Sequence, residues 1–394
     1  MMPVLNSIRT EFEKTKPLNG IKISACMHIT KETAVLMETL KVAGASVMLC
    51  ASNPLSTQDD VALALEKEGI NVYGKKNMTD EQYYQSIEKC IKFKPHLIVD
   101  DGADLTSSVL KKGTEYYKQI MGGQEETTTG IVRLKAMEKE GILKFPVVAV
   151  NDTPTKRLMD NILGTGQSTI DAIMRSTNVL IAGKTFVVSG FGHCGKGIAN
   201  RARGMGAKVI VVEPDPVKCL SAHYDGFSVM NMDDASKLGE IFVTATGDCD
   251  AIALRHFMNL KEGAILCNSG HFNVEINLND LKSVSTNIQN MSYGVEKYTL
   301  KNNRNVIVLA QGRLVNLALA EGHPSSIMDL SFSNQALVAQ YLVKNSKKMN
   351  GAVYAVPNEI DERIAQMKLK TLNVRIEKLT KKQIEYMKSW QIGT

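Results

Sequence analysis

The sequence has no uninterrupted run of about 18 apolar residues, so nothing in it reads as a membrane-spanning helix. The opening segment, residues 1–17, is polar and charged and lacks the apolar centre of a signal peptide. Seven cysteines occur, an odd number with no C-x-x-C pair. That pattern argues against a disulfide framework or a zinc site and for reduced thiols in a cytoplasmic protein. No metal is expected. Tryptophan occurs once, at Trp390, and no basic patch is interleaved with aromatics. The densest basic stretch, residues 368–388, also carries Glu377 and Glu385 and reads as a solvated helix face. Neither nucleic acid nor a membrane is therefore an expected partner. Internal repeats and low-complexity tracts are absent too. What remains is an ordinary globular composition over 394 residues, 44% apolar and 22% charged, enough for two or three domains.

The strongest local signal is Val187–Gly197, in which Gly190, Gly192 and Gly195 fit G-x-G-x-x-G. Residues 184–189 read as a strand, 195–205 as a helix and 208–212 as a second strand that ends at Glu213. Such a unit seats a pyrophosphate on a helix N-terminus, while the terminal acid accepts hydrogen bonds from ribose hydroxyls. Gly190, Gly195 and Lys196 also fit the first part of a P-loop. Its magnesium-binding hydroxyl is missing, because Gly197 follows the lysine. Glu213 favours NAD over NADP, since a carboxylate repels a 2′-phosphate; Lys218 weighs the other way.

The first 150 residues alternate strand and helix, and so does the stretch around the glycine turn. The expected fold is α/β, with two doubly wound, mostly parallel sheets and a cleft between them. Residues 160–181 and 325–343 read as helices, the second returning to the first unit. The expected domains are 1–182, completed by about 316–350; a Rossmann unit, 183–315; and a helical oligomerisation arm, 351–394. In doubly wound sheets ligands bind beyond the carboxyl ends of strands. Those ends are unusually polar here, as at His28, Asp100-Asp101, Asn151-Asp152 and Asn268–His271.

These rims carry longer strings: ACMHITKETAVL at 25–36, NPLSTQD at 53–59, DDGADLT at 100–106, EETTTG at 125–130 and NDTPTKRLMDN at 151–161. CNSGH at 267–271, GRLVNL at 312–317 and GHPS at 322–325 complete the set. Together, in order from about residue 20 to 380, they make the chain strongly resemble the S-adenosylhomocysteine hydrolases. The resemblance implies tightly held NAD as cofactor. It also implies reversible hydrolysis of S-adenosyl-L-homocysteine to adenosine and L-homocysteine. The chemistry would pass through transient 3′-oxidation, loss of the 4′-proton, elimination of the thiol and addition of water. A small nucleoside thioether is thus the expected substrate, and a homotetramer the expected assembly.

The resemblance also distributes roles. Lys156 would handle the 3′-hydroxyl proton with Asp160 beside it, and burial or nearby cations would have to lower its pKa. Asp101 would serve the 4′-proton, Glu126 the ribose hydroxyls and His28 the departing sulfur. Asn161 and His271 would complete the catalytic set. Thr30 and Glu32 would meet the purine, and Asn53, Thr57, Gln58 and His323 would also bind substrate. Cofactor contacts would come from Thr127, Thr128, Thr129, Asn161 and the loop Gly190, Gly192, His193, Cys194, Gly195, Lys196 and Gly197. Glu213, Lys218, Thr246, Gly247, Ser269, Gly270, His271 and Asn316 would add to them.

Three departures accompany the likeness. Thr165 stands where the family commonly has cysteine, and His193-Cys194 where many members have Asp-Val. The chain ends at residues 389–394, where many members continue into a tail whose lysine and tyrosine reach a neighbour's cofactor. That shortness resembles the archaeal and thermophilic-bacterial branch, in which some members favour the inosine analogue. Glu32 can accept from a 6-amino group or from the N1–H of hypoxanthine, so S-inosylhomocysteine stays open as the substrate. A plain NAD-dependent dehydrogenase and a catalytically silent regulatory homologue are more distant alternatives.

Overall fold

The computed structural model describes residues 1–391; the last three residues of the expected arm lie outside that span. Two sheets organise the chain. The first contains β1 (Lys22–Met27), β2 (Ser46–Ala51), β3 (Asn71–Tyr73), β4 (Leu97–Asp100), β5 (Gly122–Glu125) and β6 (Val147–Ala149). The second contains β7 (Thr185–Ser189), β8 (Lys208–Val212), β9 (Ser228–Val229), β10 (Ile241–Thr244), β11 (Ala264–Asn268), β12 (Ser285–Ser292), β13 (Val295–Leu300) and β14 (Asn305–Leu309). A last strand, β15 (Val353–Ala355), returns to the first sheet.

The first sheet runs β15-β6-β5-β4-β1-β2-β3, with every pairing parallel. Its strands are buried on both faces by helices, which is why they read as near-continuous apolar runs such as Ile23–Met27. The second runs β12-β13-β14-β11-β10-β7-β8-β9 and is parallel except at the β12–β13 and β13–β14 pairings. The direction of winding reverses between β4 and β1 in the first sheet and between β10 and β7 in the second. Those reversal points open a crevice at the strands' carboxyl ends. His28 and Asp101 follow β1 and β4, and the glycine turn follows β7, so the topology alone places them at the two crevices.

Several elements differ from the sequence expectation. The helix expected from residue 160 begins as a π-helical segment, Arg157–Gly164, and becomes α-helical over Thr165–Thr177. The helix after the glycine turn starts at His193, two residues early. Pro3–Thr15, for which the sequence indicated no element, is a helix; its Val4, Leu5, Ile8 and Phe12 are buried. Val353–Ala355 pairs with Val147–Ala149, and the Asn358–Thr371 helix packs on Ser325–Asn345 and Pro3–Thr15. Lys368 reaches Asp329 at 2.8 Å there. Within the segment expected as an arm from 351, the chain from Leu372 to Gln391 is the exposed part. No helix among the described residues is long and apolar enough to cross a membrane.

Candidate active site

At the first reversal point Asp100 and Asp101 divide the work. Asp100 accepts from the Thr106 amide at 2.7 Å and so anchors the following helix, whereas Asp101 faces the cavity. Asp101 lies between two histidines: His28 Nε2 is 3.4 Å from its Oδ2, and His271 Nδ1 is 3.8 Å from its Oδ1. His28 Nδ1 meets Ser56 Oγ at 2.7 Å. Burial outweighs the pull of Asp101 and lowers the His28 pKa to about 4, so this ring is neutral near pH 7. His271 packs directly on Gly102, whose added Cβ would stand 2.2 Å from Nε2; only glycine fits there. The donor atoms of His28, Asp101 and His271 lie within 4.8 Å of one another, a grouping that a cation would also fit.

A second cluster surrounds Lys156, which is 4% exposed. Its ammonium donates to Asn161 Oδ1 at 2.9 Å and Asn151 Oδ1 at 3.2 Å. It also lies 3.4 Å from Asp160 Oδ1 and 3.5 Å from Glu126 Oε1. The lowered lysine pKa expected from sequence is not found. Burial does favour the neutral amine, but Asp160, Glu126 and Asp101 outweigh it and push the pKa above the ordinary lysine value. For Asp160 burial opposes ionisation, yet Lys156 and His323 prevail and hold it well below the usual carboxylate range. Asp160 Oδ1 meets His323 Nδ1 at 3.0 Å, and its Oδ2 is buried without a partner.

Glu126 sits on the other side of the lysine. Burial raises its pKa to about 7, against the lowering effect of Lys156. Ser331 Oγ donates to its Oε1 and Gln335 Nε2 to its Oε2. Ser331 and Gln335 belong to the long returning helix and did not stand out in the sequence. Their signal is a polar pair four residues apart on a helix whose other residues there are buried. Glu125, also missed, accepts from the Gly102 and Thr127 amides at 2.8 and 3.0 Å and ties the Asp101 loop to the Glu126 loop.

His28, Asp101, Glu126, Lys156, Asp160, Asn161, His271 and His323 line one cavity with an interior volume of about 130 Å³. Thr30, Glu32, Leu317 and Met328 also line it, and Ser325 Oγ donates to Glu32 Oε1. Asn53, Thr57 and Gln58 do not line it. Asn53 Oδ1 accepts from the Leu55 amide at 2.9 Å, Thr57 is buried, and Gln58 precedes the Asp59–Lys67 helix. Thr128 accepts from Asn151, so it holds the lysine's partner.

The glycine turn has the shape that a dinucleotide needs. Gly190 has φ +96°, and a Cβ on Gly195 would stand 1.9 Å from the Gly190 carbonyl oxygen. A Cβ on Gly197 would meet the Ile162 carbonyl at 2.0 Å, so the turn and the π-helical segment touch backbone to backbone. Glu213 directly follows β8 and accepts from the Phe191 and Asp215 amides at 2.6 and 3.0 Å. Thr246 and Gly247 donate to Glu275 at 2.8 and 2.9 Å, and a Cβ on Gly270 would stand 1.8 Å from that carboxylate. Asn316 Nδ2 donates to Ser168, while its Oδ1 is buried and unpartnered inside the cavity lining. The tight glycine cradle, the free helix N-terminus and that spare acceptor fit NAD. Ser269 lines the cavity and meets Thr169 at 3.0 Å. Lys196 turns away to Asp225 at 2.8 Å, and the Lys218 amide is bonded to Asp215.

Such a cavity can hold a polar ring between a hydride-accepting cofactor, a charged amine flanked by carboxylates, and two imidazoles. That is the equipment for oxidation coupled to proton transfer. Known proteins agree. Residues 161–322 match the family model "S-adenosyl-L-homocysteine hydrolase, NAD binding domain", and residues 1–118 match "S-adenosyl-L-homocysteine hydrolase". An adenosylhomocysteinase of Sulfurisphaera tokodaii is 54% identical over 393 residues, covering 100% of this chain and 94% of its own. One from Aquifex aeolicus is 54% identical over 394 residues with the same coverage. The S-inosyl-L-homocysteine hydrolase of Methanocaldococcus jannaschii is 50% identical over 393 residues, again covering 100% and 94%. Two separate domain matches and identity of one residue in two along the whole length leave one assignment: the chain belongs to the S-adenosyl-L-homocysteine hydrolase family.

Proposed function

We propose that this protein is an NAD-dependent hydrolase that reversibly cleaves S-adenosyl-L-homocysteine to adenosine and L-homocysteine. The observation that carries the reading is Lys156 held among Asp160, Glu126, Asn151 and Asn161 at the wall of a cavity that continues to the glycine turn. NAD, held by the glycine turn and Glu213, would supply the hydride acceptor for the 3′-carbon when bound. Lys156 grips the 3′-oxygen, and the hydroxyl proton passes into the set of Lys156, Asp160 and Glu126. Glu126 suits that exchange because burial places its pKa near 7. Asp101 takes the 4′-proton, and neutral His28 serves the 5′-position where sulfur leaves and water enters. Glu32, braced by Ser325, accepts from the purine edge.

In this reading the sheet of β1–β6 with the returning helix binds the nucleoside, and residues 183–315 bind NAD. The exposed segment from Leu372, with Val374, Ile376, Tyr386 and Trp390 open to solvent, suits assembly into a homotetramer. The free cysteines suit a cytoplasmic setting. The acceptor Glu32 serves hypoxanthine as well as adenine, and a 50%-identical relative carries the inosyl name, so S-inosyl-L-homocysteine is the second reading. The test is thiol release by NAD-loaded protein from each thioether, followed alongside NADH absorbance. Thiol without net NADH is expected, and the ratio of the two rates assigns the purine. Stoichiometric NADH, or no thiol from either compound, would overturn the proposal.

A further inference from the structure

Thr165, which begins the α-helical part of its segment, and Cys194, beside Gly195 of the glycine turn, are brought together in the structure. Cys194 Sγ lies 3.7 Å from Thr165 Oγ1, and Thr165 Oγ1 lies 3.2 Å from His323 Nε2. The other ring nitrogen, Nδ1, lies 3.0 Å from Asp160 Oδ1. A single chain therefore runs from thiol to hydroxyl to imidazole to carboxylate, and it ends on the partner of Lys156. All of its members line the cavity.

The geometry follows from the π-helical segment. The Thr165 amide bonds back to the Asp160 carbonyl, five residues earlier, so the wider turn brings residues 160 and 165 onto one face. Gly164 makes room for the ring: a Cβ there would stand 2.9 Å from His323 Cγ and Nδ1. Burial raises the pKa of the Cys194 thiol, which keeps its hydrogen and so is available as a donor to the Thr165 oxygen 3.7 Å away. The hydroxyl has one hydrogen, which then goes to His323 Nε2. An imidazole that accepts at Nε2 carries its proton on Nδ1, where Asp160 accepts it.

We propose that Thr165 is a positioning residue for the reaction, one that fixes His323 as the Nδ1–H tautomer and so holds Asp160 against Lys156. Cys194 orients the Thr165 hydroxyl for that task. The inference rests on the functional reading above, in which Lys156 and Asp160 manage the 3′-hydroxyl proton.

The test compares Thr165→Val, which keeps the shape and removes the hydroxyl, with Thr165→Ser, which keeps the hydroxyl. Expected for Thr165→Val is a kcat about tenfold lower, the loss of one hydrogen bond to the proton-handling set, with KM within about twofold and NAD content unchanged. Thr165→Ser should return kcat to within about twofold of wild type. Nitrogen-15 NMR of labelled histidine, with His323 assigned through His323→Gln, should show Nδ1 protonated and Nε2 free in wild type. The proton should redistribute between the nitrogens in Thr165→Val. Unchanged kcat in Thr165→Val, equal losses in Val and Ser, or an Nε2–H ring in wild type would each overturn the proposal. The NMR arm needs no turnover, so a wild-type protein that releases no thiol would refute the functional reading while the tautomer is still decided.

Discussion

Replacing Lys156 with methionine keeps much of the buried volume and removes the charge at the centre of the site. Two carboxylates lose a cation at 3.4 and 3.5 Å. At an effective dielectric constant near 20, each contact is worth about 5 kcal/mol. The folded variant avoids most of that loss by taking up protons at Asp160 and Glu126, which leaves a net destabilisation of about 3–5 kcal/mol. The sign with pH is fixed. In wild type the depressed Asp160 pKa contributes stability that is present above its unfolded value and is lost only in strong acid. In the variant both carboxyls are raised, so stability is present in acid and lost as pH rises through their folded pKa values. The gap in melting temperature between wild type and Lys156→Met should therefore widen from about pH 5 to about pH 8. Turnover should fall by about 10²–10⁴-fold, the usual contribution of a placed proton-transfer group. The assays are thermal melts across that range and thiol release at saturating substrate. A gap that narrows with pH, or near-normal turnover, would refute the account of Lys156 as a charged hub.

The remaining predictions use the same geometry. Burial raises the Glu126 pKa to about 7, so wild-type kcat/KM should rise from the acid side through an ionisation near pH 7. Glu126→Gln should lower the plateau and erase that ionisation from the pH–rate profile; a profile with the same break would assign it elsewhere. Gly195→Ala places a methyl group 1.9 Å from the Gly190 carbonyl oxygen, so the turn must open. Protein purified with that change should carry little NAD by absorbance and mass spectrometry, and full occupancy would show that the cradle tolerates a side chain.

The alternation of apolar runs and helical spacing was enough to indicate two α/β units, because parallel strands buried on both faces need continuous apolar runs. The glycine turn was legible for a related reason: Gly190 and Gly195 stand where a Cβ would strike backbone, and no other residue is tolerated. His28 and Asp101 stood out as polar residues at strand ends, and the family resemblance singled out Lys156 and Asp160. Other features were illegible. β5 reads Gly-Gly-Gln-Glu and has no strand pattern of its own; its place between β4 and β6 makes it one. Ser331 and Gln335 lie about two hundred residues from Glu126 along the chain, and only the returning helix brings them to it.

The charge state of Lys156 shows the division most clearly. Sequence placed Asp160 four residues away, an ordinary helical pair, and the chemistry expected of a base suggested a lowered pKa. The fold adds Glu126 and Asp101 from the ends of separate strands, and their summed field outweighs burial. Residue identity, spacing and the need for glycine are local, so the sequence by itself determined the fold class, the cofactor turn and the family. Proton affinity and tautomer depend on charges and donors that converge from distant segments in a low-dielectric cavity. Only the tertiary structure could decide which groups hold the protons.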